Sequence, residues 1–229
     1  MSETPSDRTV SVVIPAYNEA NTIGGVVSDV AAVADEVVVV DDGSADDTGE
    51  LASAAGATVL VHEVNKGYDR SLSDGVAYAA EHGADVIVTF DGDGQHDPAD
   101  IERIVEPVLA GRAAIVVGCR PEYARVAERL FALYAKWRLG VTDPLSGFKA
   151  YDVAVYDDIG SFDTYNSVGT YLLLVAERRG YAVEQLGITI EQREDDSRFG
   201  SLRGNLVILR ALWRTILFDI RSTFERLRE

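Results

Sequence analysis

Asp91 and Asp93 stand two residues apart, with Gly92 between them and Gly94-Gln95-His96 behind. A turn built on glycine can aim both carboxylates at one hard cation, and oxygen ligands of this kind suit Mg²⁺ or Mn²⁺. Gln95 adds a neutral oxygen nearby. An ion held there would bridge the two phosphates of a nucleoside diphosphate and offset charge on a leaving group. A solvated Asp-Gly turn has the same local sequence, and what separates the two readings is the apolar run 85–90 directly before the cluster. A second acidic pair, Asp41-Asp42, follows four consecutive valines. One carboxylate there can accept from a base N–H, while Ser44 can cap a following helix, and capping alone would also explain the cluster. A third cluster, Pro15-Ala16-Tyr17-Asn18-Glu19, offers an aromatic ring to stack on a base. Its alternative is a loop leading into a helix N-terminus that favours acidic charge.

Each cluster follows a short β-branched run. Strands are expected over 10–14, 36–40, 57–61, 85–90 and 113–117, and helices over 19–33, 45–54, 71–81 and 101–109. The runs are continuously apolar rather than alternating, as in a parallel sheet covered on both faces. In such sheets the ligand crevice lies outside the carboxyl ends of the strands, so the three clusters and Gly118-Cys119-Arg120 describe one site. No G-x-G-x-x-G follows the first strand, and Gly24-Gly25 falls inside the first helix. Beyond residue 120 the pattern predicts helices over 122–139, 170–180 and 202–227, a strand over 147–153, and one or two strands over 182–190.

The chain has 229 residues, enough for one sizeable α/β domain. Its net charge is −17, and of its 21 basic residues only Lys66, Lys136 and Lys149 are lysines. That scarcity of lysine matches proteins adapted to high salt, with an ordinary acidic protein as the alternative. Either way the overall field repels nucleic acid. The single cysteine, Cys119, allows no intrachain disulfide and reads as a small buried filler. His62 and His82 are isolated and read as surface or packing residues. Residues 1–8 read as a polar tail without the apolar core of a signal peptide, and no apolar run reaches membrane-spanning length, so a cytoplasmic protein is expected.

Together, Val12-Val13-Ile14-Pro15-Ala16-Tyr17-Asn18-Glu19, Val40-Asp41-Asp42-Gly43-Ser44 and Asp91-Gly92-Asp93-Gly94-Gln95-His96 resemble the family 2 glycosyltransferases of the GT-A fold, a Rossmann-like, mostly parallel sheet flanked by helices. Within that family the chain is similar to dolichol-phosphate mannose and glucose synthases. The narrower likeness rests on the Asp-x-Asp-Gly-Gln-His form, on Gly118-Cys119-Arg120, on Asp143-Pro144-Leu145-Ser146-Gly147-Phe148, and on Arg193 with Ser197-Arg198, where arginine replaces the usual lysine. The resemblance implies that Asp42, with Asp41, binds the base. It puts Asp91 near the ribose or metal, and Asp93 and Gln95 on the metal. Pro15, Tyr17, Asn18, Glu19, Lys66 and Gly92 complete the nucleotide-sugar contacts. Arg120, Ser146, Arg193 and Arg198 handle phosphates, with Asp93, Arg120 and Arg193 closest to the reaction and Arg120, Ser146 and Arg198 on the acceptor. His96 supports the metal cluster without binding the ion. One segment departs from the pattern: where the family carries Asn-x-Gly-x-Gly-x-Ala, this chain has Asp69 and Ser71 for the second glycine and the alanine.

The implied reaction is an inverting transfer of a hexose from GDP-mannose or UDP-glucose to a polyprenyl phosphate, assisted by Mg²⁺ or Mn²⁺. A family member acting on a glycan hydroxyl is the near alternative; it needs a carboxylate base, for which Asp143 is the candidate. A nucleotidyltransferase or a non-catalytic nucleotide-binding protein is the distant one. The organisation expected is a tail at 1–8, a catalytic domain at 9–200 and an amphipathic helix at 201–229. In that helix Leu202, Leu206, Leu209, Trp213, Ile216, Ile220, Phe224 and Leu227 form one stripe flanked by arginines. The stripe suits either an anionic membrane surface, with the protein peripheral on the cytoplasmic face, or packing on the catalytic domain, a second subunit or a membrane-protein partner.

Overall fold

A computed structural model describes residues 8–123, 125–162, 167–190 and 201–226, with the side chains of the last helix described over 204–221. The described chain alternates strand and helix through β1 (Val10–Ala16), α1 (Ile23–Val30), β2 (Glu36–Asp41), α2 (Thr48–Ala54), β3 (Thr58–Val61), α3 (Tyr68–Glu81), β4 (Val86–Thr89), α4 (Asp100–Leu109) and β5 (Ile115–Cys119). It continues with α5 (Val126–Leu139), β6 (Lys149–Asp152), α6 (Val153–Ile159), α7 (Thr170–Arg178), β7 (Val183–Gly187) and α8 (Ser201–Arg226).

The sheet order is β3-β2-β1-β4-β6-β5-β7. All neighbours are parallel except β6, which runs antiparallel between β4 and β5. Continuous apolarity follows from burial on both faces. Along β1, Val12 and Ile14 enter one core with Ile23, Val27, Ile101 and Ile104, while Val13 enters the other with Leu72, Val76, Leu172 and Leu173. Helix α3 comes so close to the second face that a methyl group at Gly75 would overlap Val13 and Val40.

Several expectations change. Strand β1 runs through Pro15 to Ala16 instead of stopping at Pro15. The missing N–H of Pro15 lies on the β4 side, where the pairing with β1 ends at Val13–Thr89 and the Phe90 N–H closes on the Val13 carbonyl at 3.0 Å, while the pairing with β2 continues to Ala16–Asp41. Helix α1 starts at Ile23, since residues 19–22 form a turn in which Thr22 and Ile23 N–H groups close on the Glu19 carbonyl. Helix α6 was not foreseen, because its seven residues are too few to show a period. Arg8, assigned to the tail, is anchored: its guanidinium bonds to Asp152 at 2.9 Å and to the Asp85 carbonyl at 3.0 Å. The rest of the expected tail, and the segment 191–200 with Arg193, Ser197 and Arg198, lie outside the described residues. Among the described residues no helix is long and apolar enough to cross a membrane.

Candidate active site

The strand-end clusters are laced into one edge. The Asp42 N–H reaches the Ala16 carbonyl at 2.8 Å, Asn18 N–H donates to Ser44 Oγ at 2.9 Å, and Asn18 Oδ1 accepts from Ala45 N–H at 2.8 Å. Asn18 holds a left-handed backbone (φ 55°), which asparagine tolerates better than most residues. Across to the metal-type turn, Thr22 Oγ1 donates to the Gly92 carbonyl at 2.9 Å. Tyr17 stands half-exposed at the rim.

Asp91 sits at the centre. Tyr68 at the start of α3 donates its hydroxyl to Asp91 Oδ1 at 2.5 Å, and His96 Nε2 meets Oδ2 at 3.0 Å. Burial pushes the Asp91 carboxyl up. The His96 hydrogen bond and charge, the Tyr68 hydroxyl and the field of Arg120 outweigh it and hold the group below its ordinary value, so it stays ionised. Burial and the adjacent Asp91 push the Tyr68 hydroxyl well up, which keeps it a donor. Gly147 closes the other side. An added Cβ there would lie 2.5 Å from Asp91 Oδ2 and 2.6 Å from the Tyr68 hydroxyl, so only glycine lets the loop before β6 seal against this carboxylate. His96 is buried between Phe90 and Phe148, at ring distances of 5.5 and 5.3 Å.

Both Asp91 oxygens are engaged, and at Asp93, the second carboxylate of the turn, Oδ1 accepts the Gln95 backbone N–H at 3.1 Å. Among the described residues no three His, Cys, Asp or Glu groups converge as a metal cage. That donor set fits Mg²⁺ or Mn²⁺ held by one or two carboxylates, with diphosphate and water supplying the other ligands.

Other expected residues take different places. Pro15 and Glu19 are buried, and the Glu19 N–H is bonded to Thr48 Oγ1 at 2.8 Å. Asp42 is buried too. Its carboxylate accepts from His62 Nδ1 at 2.7 Å and from the Lys66 and Gly67 N–H groups at 2.8 Å each, which braces the loop before α3. Asp41 Oδ1 accepts from Ser44 N–H at 2.9 Å. The Lys66 side chain is exposed, 3.7 Å from Asp74. Ser146, expected on the acceptor phosphate, is fully buried, and its hydroxyl accepts the Phe148 N–H at 3.2 Å. Arg120 grips Asp143 bidentately at 2.8 and 2.9 Å, and Asp143 is 1% exposed, which removes Asp143 as a general base.

Sequence reasoning missed four residues. Tyr68 carries no spacing signal. Gly147 was read only as part of a motif. His62 was left isolated, but it bridges Asp42 and Asp74. Lys149 is fully buried and donates to the Ser146 and Val168 carbonyls at 2.5 and 2.7 Å, joining the loop before β6 to the turn before α7. The departure at Asp69 has a structural use: its Oδ1 accepts the N–H of Val168 at 2.7 Å, a β-branched residue held at φ 53°. Ser71 is buried, with its hydroxyl on the Gly67 carbonyl.

Residues 11–160 match the model of glycosyl transferase family 2. The chain belongs to that family. Its sheet is that of the GT-A fold, and it is a glycosyltransferase. It is 31% identical over 215 residues to the polyprenol monophosphomannose synthase of Mycolicibacterium smegmatis, covering 83% of this chain and 80% of that one. It is 30% identical over 176 residues to the UDP-N-acetylglucosamine–dolichyl-phosphate N-acetylglucosaminyltransferase of Methanococcus voltae, covering 64% and 70%. Among solved structures it is similar to glucosyl-3-phosphoglycerate synthase from Mycobacterium tuberculosis in complex with Mn²⁺, uridine diphosphate and glucosyl-3-phosphoglycerate. There the TM-score is 0.72 at 26% identity, over 93% of this chain and 80% of that one.

Proposed function

We propose that this glycosyltransferase moves a hexose from a nucleotide-diphosphate sugar, GDP-mannose or UDP-glucose, to a polyprenyl phosphate. The observation that carries the choice of acceptor is the pairing of Asp143 with Arg120. A hydroxyl acceptor must lose a proton, and the one carboxylate the sequence offered as base is buried and bound to a guanidinium. A phosphate oxygen is already ionised at neutral pH and needs no base. The names of the mycobacterial and methanococcal relatives favour the same acceptor.

In this reading the acceptor oxygen forms a bond to the anomeric carbon as the bond from that carbon to the nucleoside diphosphate breaks, which inverts the configuration. Asp93, with Asp91 and Gln95 beside it, would hold a divalent ion, which when bound would offset charge on the departing diphosphate. Asp91 is oriented by Tyr68 and His96 so that the turn keeps one shape. Tyr17 lies against the base. Arg120 contributes positive field at the crevice, and the sequence assigns Arg193 and Arg198 to the phosphates. The protein works peripherally at a membrane, and its acidic, lysine-poor composition is an adaptation to high salt.

The test is to incubate the protein with labelled GDP-mannose, UDP-glucose and UDP-N-acetylglucosamine, each with Mn²⁺ or Mg²⁺ and with or without polyprenyl phosphate. Transfer into the lipid fraction that needs the ion and falls at least 100-fold in Asp93→Ala is expected. Undiminished transfer by Asp93→Ala would remove the metal role. Transfer only to 3-phosphoglycerate or a glycan hydroxyl would overturn the acceptor.

A further inference from the structure

Helix α8 is amphipathic in the inverted sense. Its buried side carries Gly204, Ala211, Thr215 and Asp219. Asp219 is tied to Tyr134 and Arg138 of α5 at 3.0 Å and to Arg178 of α7 at 2.5 Å. At the other end Asn205 Oδ1 accepts the Ala127 N–H at 3.0 Å, so α5 and α8 lie side by side and run the same way. The apolar stripe of α8 faces out instead of into a core: Leu206, Leu209, Trp213 and Ile220 are exposed. Helix α5 does the same with Val126, Leu130, Leu133 and Trp137, at spacings of four, three and four. A stripe at that period ordinarily packs inward, and two adjacent stripes left outward form an apolar patch of the kind that marks an interaction surface.

Charge names the occupant. The exposed charged side chains on the described parts of these helices, Arg129, Lys136, Arg210, Arg214 and Arg221, are all basic. The two acids there, Glu128 and Asp219, are buried in ion pairs with Arg125 and with Arg138 and Arg178. This occurs in a chain of net charge −17. A second copy of so acidic a chain offers an apolar face that is itself basic, whereas an anionic bilayer offers both apolar depth and complementary charge.

We propose that α5 and α8 together are a docking platform for an anionic lipid surface, with Trp137 and Trp213 entering the interface. The platform adjoins the crevice, since Arg120 Nη2 lies 3.8 Å from Glu128 in the first turn of α5. Docking there brings the crevice to a lipid-borne acceptor, and for that purpose it rests on the lipid-phosphate reading above.

The test uses the fact that the chain has two tryptophans, both on this platform. The full chain is mixed, at the lowest salt concentration that leaves its thermal melt intact, with phosphatidylglycerol or phosphatidylcholine vesicles free of polyprenyl phosphate, and tryptophan emission and co-sedimentation are followed. Expected are co-sedimentation with the anionic vesicles only, and a blue shift in both Trp137→Phe and Trp213→Phe, each of which leaves one reporter. Arg210→Gln and Arg214→Gln should each weaken binding about fivefold, the value of one basic residue near such a surface, with unchanged melting temperature. Absence of binding to anionic vesicles, or binding with both tryptophans unshifted, overturns the platform. So does a lipid-free blue shift that grows with protein concentration alongside a dimer mass in light scattering. Transfer to a short, water-soluble prenyl phosphate, assayed separately, tells the two failures apart: if it works while vesicles do not bind, the platform falls alone, and if it fails while they bind, the acceptor reading falls alone.

Discussion

Gly147→Ala tests whether Asp91 must be held by close packing. The added Cβ would stand 2.5 and 2.7 Å from the two Asp91 oxygens and 2.6 Å from the Tyr68 hydroxyl, where real Cβ contacts essentially never fall under 3.0 Å. The carboxylate, the tyrosine or the loop must therefore retreat by at least about 0.5 Å, the gap between 2.5 and 3.0 Å. Overpacking of this kind costs about 1–3 kcal/mol of stability. The backbone of Gly147 is not left-handed, so alanine adds no torsional penalty and the effect is purely steric. Misplacement approaching 1 Å near the reacting groups lowers rate by roughly 100-fold, or about 2.7 kcal/mol of barrier. The assay is sugar transfer at saturating donor, paired with a thermal melt and with Gly25→Ala as control. Gly25 is exposed on α1 with nothing within 4 Å of an added Cβ, so the control should keep full activity and gain about 0.5–1 kcal/mol. A Gly147→Ala protein with activity within twofold of wild type and an unchanged melt would refute the role given to this contact.

Tyr68→Phe removes the 2.5 Å hydrogen bond to Asp91 while keeping the ring; transfer should fall about tenfold, near 1.4 kcal/mol of barrier, with little change in melting. Burial pushes the Asp42 carboxyl up, but His62, Lys66 and Gly67 outweigh it and hold it below its ordinary value of 3.8. Because its folded value is depressed, its stabilisation is present above 3.8 and is lost as pH falls below that toward the folded value. Asp42→Asn should therefore be about 1–2 kcal/mol less stable at pH 7 and lose less on acidification, and denaturant melts at pH 7 and pH 3 that shift in parallel for both proteins would contradict this. Asp69→Gly restores the family's residue but gives up the bond to Val168 N–H; a loss of about 1–2 kcal/mol and faster amide exchange at Val168 are expected, with Asp69→Asn, which keeps an acceptor oxygen, recovering most of both.

The fold class and the position of the crevice were legible in the sequence because both rest on local patterns. Four buried strands appeared as valine-rich runs such as Val37–Val40, since burial on both faces leaves no place for a polar alternation. The chemistry-bearing clusters appeared because they directly follow those runs. What a strand end does once folded was not legible. Asp42 and Ser146 look like ligand-binding groups in one dimension, yet one spends its carboxylate on His62 and a loop backbone and the other its hydroxyl on Phe148. Their partners depend on which loops the sheet brings together. Tyr68 and Gly147 reach Asp91 from 23 and 56 positions away, through α3 and through the antiparallel strand β6. No spacing rule carries contacts across such separations. The same holds for the platform: the stripe of α8 is written in its sequence, but only its packing on α5 through Asn205 and Asp219 turns that stripe outward. Helix period fixes which residues share a face, and tertiary contacts decide which face meets water or lipid.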